Sequence, residues 1–103
     1  MSYVTRIKPN VLATIRLWRL PRQQMLDVLN ELRIDLPADP KKYLVEQIVP
    51  FANKFTCPIT IRPFPPFIDP LQAIFFVVRD DEKKRLDIFA ARCVKIEFPD
   101  EPF

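Results

Sequence analysis

The stretch LQAIFFVVR DDEKK RLDIFAARCVKIEF, residues 71–98, contains the strongest structural signal in the chain. Residues 71–79 are nearly all apolar, as is typical of a central strand that is covered on both faces. The charged residues 80–84 predict a hairpin turn, and residues 85–98 predict the antiparallel partner strand. One face of that partner strand is predicted to carry Leu86, Ile88, Ala90, Arg92, Val94 and Ile96.

The proline-rich segment 58–70, just before this hairpin, predicts a sheet edge. Residues 56–62 alternate in polarity and predict a further strand. Four prolines between residues 63 and 70 then bracket a rigid apolar loop that contains Phe64 and Phe67. This proline density is typical of an edge strand or a bulged crossing, because proline has no backbone N–H to donate to a neighbouring strand. The loop either presents a recognition surface or folds over the core.

The start of the chain predicts a short strand and then a short helix. Residues 3–8 alternate in polarity, Pro9 ends the strand, and Asn10 is a suitable N-cap for the helix after it. Apolar residues at helical spacing predict that helix over 11–19, namely Val11, Leu12, Ile15 and Trp18.

A second and longer helix is predicted at residues 21–34. The pair Leu20–Pro21 interrupts the first helix, since proline disfavours a helical residue before it and suits the first turn of a new helix. The apolar stripe of the new helix is Met25, Val28, Leu29, Leu32 and Leu36. A proline turn at 36–40 and a short helix at 41–49 are predicted after it.

Together these elements predict one α+β domain over residues 1–103. An N-terminal strand and a helical hairpin are expected to pack on a three- to four-stranded antiparallel sheet, because the apolar seam of such a hairpin needs a sheet to cover it. No internal repeat and no second domain are indicated.

The composition excludes several classes of site, because the 103 residues include neither Gly nor His. Without Gly there is no P-loop and no dinucleotide-binding fingerprint, and without His there is no Ser-His-Asp triad. The two cysteines cannot make a four-thiolate zinc site. We therefore expect no metal and no cofactor. The absence of a signal peptide, of a membrane-helix stretch and of a disulfide framework predicts a cytosolic protein.

The basic residues are concentrated in the first part of the chain. Residues 1–62 contain ten basic and five acidic side chains, whereas residues 63–103 contain six and eight. Such a basic part is typical of a protein with an anionic partner, such as RNA, DNA or an acidic peptide. The alternative is a solvated helix face.

The order of these elements resembles that of the RelE/ParE toxin superfamily. The corner Arg19-Leu20-Pro21, the proline turn with its lysines at 36–44 and the hairpin at 74–85 are similar to segments of that family. The resemblance covers residues 3–44 and 71–98. It implies a cytoplasmic toxin of a type II toxin–antitoxin module that is held inactive by an antitoxin wrapping its apolar surface. Such a toxin would act on translation or on a topoisomerase.

The family's ribonucleases use a basic residue in the central strand and late Arg, His or Tyr residues, and this chain departs from that pattern. Gln72, Cys93 and Phe98 occupy the corresponding positions. RNA cleavage needs a base, an acid and a cation, and only the cation is in view here. The sequence therefore favours an inhibitor that acts by binding and assigns no catalytic residue, although a ribonuclease stays open. The alternatives are a non-catalytic protein-interaction module on the same fold and a small basic nucleic-acid-binding protein.

The candidate binding residues are all basic. Arg92 either binds phosphate on a concave sheet surface or packs its stem over the sheet with its head in solvent. Cys93 is flanked by Arg92, and such a cation can lower the pKa of a thiol; the alternative is a structural thiol. The predicted target-binding set is Arg16, Arg19, Lys41, Lys42, Arg62, Arg92 and Lys95.

Overall fold

The computed structural model describes residues 3–65 and 68–95. Its strands are β1 (Val4–Ile7), β2 (Glu46–Gln47), β3 (Lys54–Ile61), β4 (Leu71–Asp80) and β5 (Arg85–Lys95). They form one sheet in the order β1-β5-β4-β3-β2, in which β1 is parallel to β5 and every other pair is antiparallel. The predicted α+β class is therefore confirmed, with the N-terminal strand added beside the C-terminal one.

The helical segments are α1 (Pro9–Leu17), α2 (Arg22–Asn30), a π-helical segment (Glu31–Asp35), α3 (Leu36–Ala38) and α4 (Pro40–Tyr43). The prediction of a turn at 36–40 is wrong for its first three residues, which continue the helix. Pro37 has no N–H to donate and its ring crowds the preceding turn, and a wider π turn accommodates it.

The predicted cap of α1 is also wrong. The helix begins at Pro9, and Lys8 occupies the N-cap position without a side-chain hydrogen bond. Proline suits this position because the first N–H groups of a helix lack partners in any case. Asn10 instead donates from Nδ2 to the carbonyl of Phe89 on β5, at 3.4 Å.

The short helix predicted at 41–49 is wrong beyond Tyr43. Leu44 has an extended backbone and is buried, and the chain then pairs with the free edge of β3. The N–H of Val45 donates to the carbonyl of Thr56 at 3.0 Å, and the N–H of Ile48 donates to that of Lys54 at 2.8 Å. An apolar run this short fits a strand as well as a helix, and the open edge of β3 decides between them.

The helices cover one face of the sheet, which we call the helical face. On it, β4 buries Leu71, Ala73, Phe75 and Val77. They pack in one core with apolar residues of the helices, among them Val11, Ile15, Val28, Leu32 and Leu36. Phe64 of the proline loop is also buried in this core, whereas Phe67 lies outside the described residues.

The opposite face of the sheet, which we call the open face, stays half-exposed. On β4 it carries Gln72, Ile74, Phe76 and Val78. The prediction that β4 is covered on both faces is thus wrong. Its continuous apolar run arises because the open face also carries apolar side chains, which lie at the surface without a layer of helices over them.

A β-bulge in β5 changes which residues share a face. Ile88 pairs with Val77 and Ala90 pairs with Phe76, which leaves Phe89 as the extra residue. One inserted residue reverses the alternation of side chains beyond it. The face predicted from Leu86 to Ile96 is therefore wrong past the bulge: Leu86 and Ile88 lie on the helical face, and Ala90, Arg92 and Val94 lie on the open face. Ile96 is outside the described residues.

Candidate nucleic-acid interface

The open face brings side chains from four strands into one row. The register places Arg6 of β1 beside Asp87 of β5, Asp87 beside Val78 of β4, and Val78 beside Lys54 of β3. Strands lie 4.7–4.9 Å apart in a sheet, and the backbones of Arg6 and Lys54 are therefore about 14 Å from each other. Sequence positions that are far apart thus share one surface.

Lys54 and three phenylalanines form what we call the aromatic patch: Phe51, Phe76, Phe89 and Lys54 itself. The Lys54 Nζ lies 3.9 Å from the ring centroid of Phe51 and 5.5 Å from that of Phe89. The rings of Phe76 and Phe89 are 6.3 Å apart at an angle of 48°. A cation held over aromatic rings is a stable arrangement that leaves part of each ring facing solvent. Phe51 is 46% exposed.

Arg92 lies on the same face, next to the aromatic patch. It is exposed, and its cross-strand partner on β4 is Ile74. Ala90, two residues earlier on β5, is the cross-strand partner of Phe76 in the aromatic patch. Two residues along a strand correspond to about 7 Å. Within the described part of the chain, the Arg92 guanidinium has neither an ion pair nor a hydrogen bond. No described residue thus competes with an anion for this guanidinium.

The other predicted site residues whose side chains the structure describes do not join this surface. Arg16 and Arg19 are exposed at the end of α1, and Lys41 and Lys42 are exposed in α4. The Lys42 Nζ lies 5.6 Å from the ring centroid of its neighbour Tyr43. Lys95 ends β5 opposite Leu71, and its side chain lies outside the described part of the structure.

Arg62, also predicted as a binding residue, has a partner within the protein. Its Nη2 lies 2.6 Å from Asp27 Oδ2, and its Nε donates to the same oxygen at 3.0 Å. The hydrogen bond from Gln23 and then that from Arg62 lower the pKa of Asp27. This exposed ion pair joins α2 to the end of β3.

The remaining ionisable groups near the sheet are held by neighbours or by burial. Asp81 accepts hydrogen bonds from Tyr3 Oη and from Arg79 Nε, and these two contacts, in that order, lower its pKa. Burial raises the pKa of Cys57 to about 12 and also raises that of Cys93. The lowered pKa considered for Cys93 is thus wrong, because the bulge turns this thiol toward the core.

Sequence reasoning missed the residues that form the aromatic patch. Lys54 begins β3, and Phe51 lies in the short loop before it. The strand that pairs with β3 at this edge, β2, falls in the stretch predicted to be helical. Phe89 reaches the open face through the bulge, which no local pattern indicates. The signal that was available is the apolar character of Phe76 and its alternate neighbours on β4, because an exposed apolar patch is typical of a binding surface.

The fold defined by these elements is that of the RelE-type toxins. A chain of the toxin–antitoxin complex RelBE2 from Mycobacterium tuberculosis is similar, with a TM-score of 0.58, 18% identity, and coverage of 88% of this chain and 96% of that chain. The E. coli toxin RelE, in the free state of a double mutant, matches with a TM-score of 0.58, 13% identity, and coverage of 88% and 82%.

These likenesses confirm the predicted resemblance at the level of the fold. No protein-family model matches the sequence. No curated protein matches it either. None of the helices among the described residues could span a lipid bilayer.

Proposed function

We propose that this protein is a toxin-like growth inhibitor that binds single-stranded RNA of the translation machinery through its open face, without cleaving it. The observation that carries the proposal is the aromatic patch, in which the Lys54 Nζ lies over the rings of Phe51 and Phe89. Aromatic side chains beside cations are the common means by which proteins hold single-stranded nucleic acid, since bases stack on the rings while phosphates meet the charges.

The electrostatics of the open face support binding rather than cleavage. Four of its described residues are cations, namely Arg6, Lys54, Arg85 and Arg92, and three are carboxylates, Glu46, Asp80 and Asp87. Asp87 already accepts a hydrogen bond from Arg85 Nε at 3.0 Å. Neither thiol is activated, because burial raises both pKa values. An anionic strand is thus attracted here by groups that are poorly suited to move its protons.

An antitoxin-like partner in the cytoplasm belongs to the same proposal. Leu17, Leu26 and Ile34 are exposed apolar residues of the helical segments, and Leu17 is 80% exposed. Basic neighbours such as Arg16 and Arg33 would favour an acidic amphipathic segment that covers these side chains. The similar RelBE2 chain comes from a toxin–antitoxin complex, which agrees with a partner of this kind.

The test compares two variants that each lose one Arg and one Lys. Lys54→Gln/Arg92→Gln changes the open face, and Arg22→Gln/Lys83→Gln changes exposed cations elsewhere. We expect the wild type to bind a single-stranded RNA with an affinity that falls as salt rises, and the open-face variant to bind about tenfold or more weakly. The control variant keeps most of the affinity. Viable counts after induction in a bacterial host should follow the same order.

Equal losses in the two variants would contradict the proposal, because a general charge effect would then explain binding. Growth inhibition without RNA binding would instead favour a protein target such as a topoisomerase. The exposed Leu17, Leu26 and Ile34 favour a second candidate, a protein-interaction module on the same fold. Full viability together with capture of an acidic helical peptide would support that candidate.

A further inference from the structure

A depression of about 360 Å³ lies at the edge of the sheet, where β1 turns into α1 beside β5. Its lining residues are Arg6, Ile7, Lys8, Pro9, Arg85 and Asp87. This volume lies within the range of pockets that hold small ligands. None of the predicted site residues contributes to it, and the pocket is separate from the aromatic patch.

The pocket has an unbalanced charge. Arg6, Lys8 and Arg85 are cations and Asp87 is the one carboxylate of the lining, which leaves a formal charge of +2. Asp87 Oδ2 accepts from Arg85 Nε at 3.0 Å, and both side chains are half-buried. This contact fixes the guanidinium and leaves its terminal nitrogens without a protein partner in the described chain.

Arg6 and Lys8 have no internal role that would explain them. Both are exposed, and neither has an ion pair or a side-chain hydrogen bond with any described residue. α1 begins directly after Lys8 and has no acidic residue in its first turn, so the carboxylate of the lining that lies beside these charges is Asp87, which already binds Arg85. Three cations that converge on one depression repel one another in the absence of an anion.

We propose that this pocket binds the terminal phosphate of a nucleic-acid strand whose bases lie on the aromatic patch. The inference rests on the proposed function and adds to it the end of the strand that the protein prefers. A phosphate monoester carries a charge of about −1.5 to −2 at pH 7, which complements the pocket's +2, whereas an internal phosphodiester carries −1.

The geometry joins the two sites. Arg6 stands in the same cross-strand row as Lys54, about 14 Å away across three strand spacings. A short oligonucleotide spans that distance on the open face. The pocket would thus hold one end of the strand while the rings stack the first bases, and Arg85 would supply paired donors to the phosphate oxygens.

The experiment measures the affinity of the whole protein for three uridine heptamers: one with a 5′-phosphate, one with a 3′-phosphate and one with hydroxyl groups at both ends. Adenosine monophosphate and a phosphoserine peptide are the further probes. Arg6→Gln/Lys8→Gln alters the pocket, and Arg22→Gln/Lys83→Gln is the matched control. All four residues are exposed, and circular dichroism checks that each variant is folded.

We expect the wild type to prefer one phosphorylated heptamer over the hydroxyl-ended one by about tenfold, the effect of charge-assisted hydrogen bonds to a terminal phosphate. The end that is preferred identifies the polarity of the strand. In Arg6→Gln/Lys8→Gln the ratio of the two affinities falls close to one, and in the control it stays near the wild-type value.

Binding of all three heptamers with equal affinity would overturn the inference and leave the proposed function standing. A preference that survives in Arg6→Gln/Lys8→Gln would also overturn it. If no heptamer binds, the proposed function fails. If adenosine monophosphate then binds the wild type but not Arg6→Gln/Lys8→Gln, the ligand of the pocket is a free mononucleotide and the strand-end inference is overturned. Tighter binding of the phosphoserine peptide than of any heptamer would contradict the nucleic-acid assignment.

Discussion

The two faces of β4 share one strand but differ in their surroundings. Phe75 is fully buried on the helical face and lies 6.0 Å from Trp18 between ring centroids, whereas Phe76, the next residue, is half-buried on the open face. Both are phenylalanines in the same ladder, and only the layer of helices distinguishes them. A continuous apolar strand therefore does not require two covering layers; it can supply a core on one side and a binding surface on the other.

The largest expected effect is on stability, and the matched pair is Phe75→Ala and Phe76→Ala. Truncation of a fully buried phenylalanine costs about 3–5 kcal/mol in free energy of unfolding, because the transfer free energy is lost and a cavity remains. We expect about 1–2 kcal/mol for Phe76, whose site is open to solvent. Urea unfolding of both variants measures the difference. Losses of equal size would show that the open face is covered in the protein.

The sequence predicts the elements whose signals are local. The alternation at 3–8, the helical stripe that includes Val28 and Leu32, and the apolar strand at 71–79 each depend on neighbours within a few residues. These signals are sufficient for the α+β class and for the resemblance to the RelE/ParE toxins. The proline corner at Pro21 also marks the start of α2 correctly to within one residue.

The site is harder to predict because its parts are distant in sequence. Lys54, Phe76 and Phe89 come from three strands, and only their register brings them together. The bulge at Phe89 then decides the face on which Arg92 lies, and an insertion of one residue has no signature in the alternation before it. Pro37 follows a π turn, and this arrangement is rare. A proline in a helical pattern more commonly marks the end of a helix.

Thiol labelling tests the bulge directly. Burial raises the pKa of Cys57 to about 12, and its thiolate fraction at pH 8 should be about a thousandfold below that of an unperturbed cysteine. Cys93 should also react slowly, since it faces the core. Arg92→Cys places a thiol on the exposed side of the same strand and should react at the rate of a free cysteine. Labelling by iodoacetamide measures the three rates; a fast Cys93 beside a slow Arg92→Cys would contradict the reversed alternation.

Acid unfolding should depend on two carboxylates, Asp27 and Asp81. Asp27 joins α2 to Arg62 at the end of β3, and Asp81 joins the turn after β4 to Tyr3. The pKa of Asp27 is lowered by Gln23 and Arg62, and that of Asp81 by Tyr3 and Arg79. Such groups contribute stability above their unfolded pKa, near 4, which is lost as the pH falls through the lower folded value. The midpoint of urea unfolding measured from pH 6 to pH 2 should therefore fall less in Asp27→Asn/Asp81→Asn than in the wild type. Parallel curves would contradict these contacts.

The smallest expected effect concerns Glu31, a half-buried carboxylate of the helical layer. Burial raises the pKa of Glu31 above its ordinary value of 4.5, and the negative charges of Asp35 and then Asp27 raise it further. A raised folded pKa means that the folded chain holds the proton more firmly, and stability is lost as the pH rises through that value. Glu31→Gln should therefore stabilise the protein at pH 7, by less than about 1 kcal/mol because solvent screens the charge, and should have little effect at pH 3. Glu46→Gln, on the exposed edge strand, is the control in the same urea titration and should change little at either pH. A destabilised Glu31→Gln at pH 7 would mean that the carboxylate has a partner on the helical face.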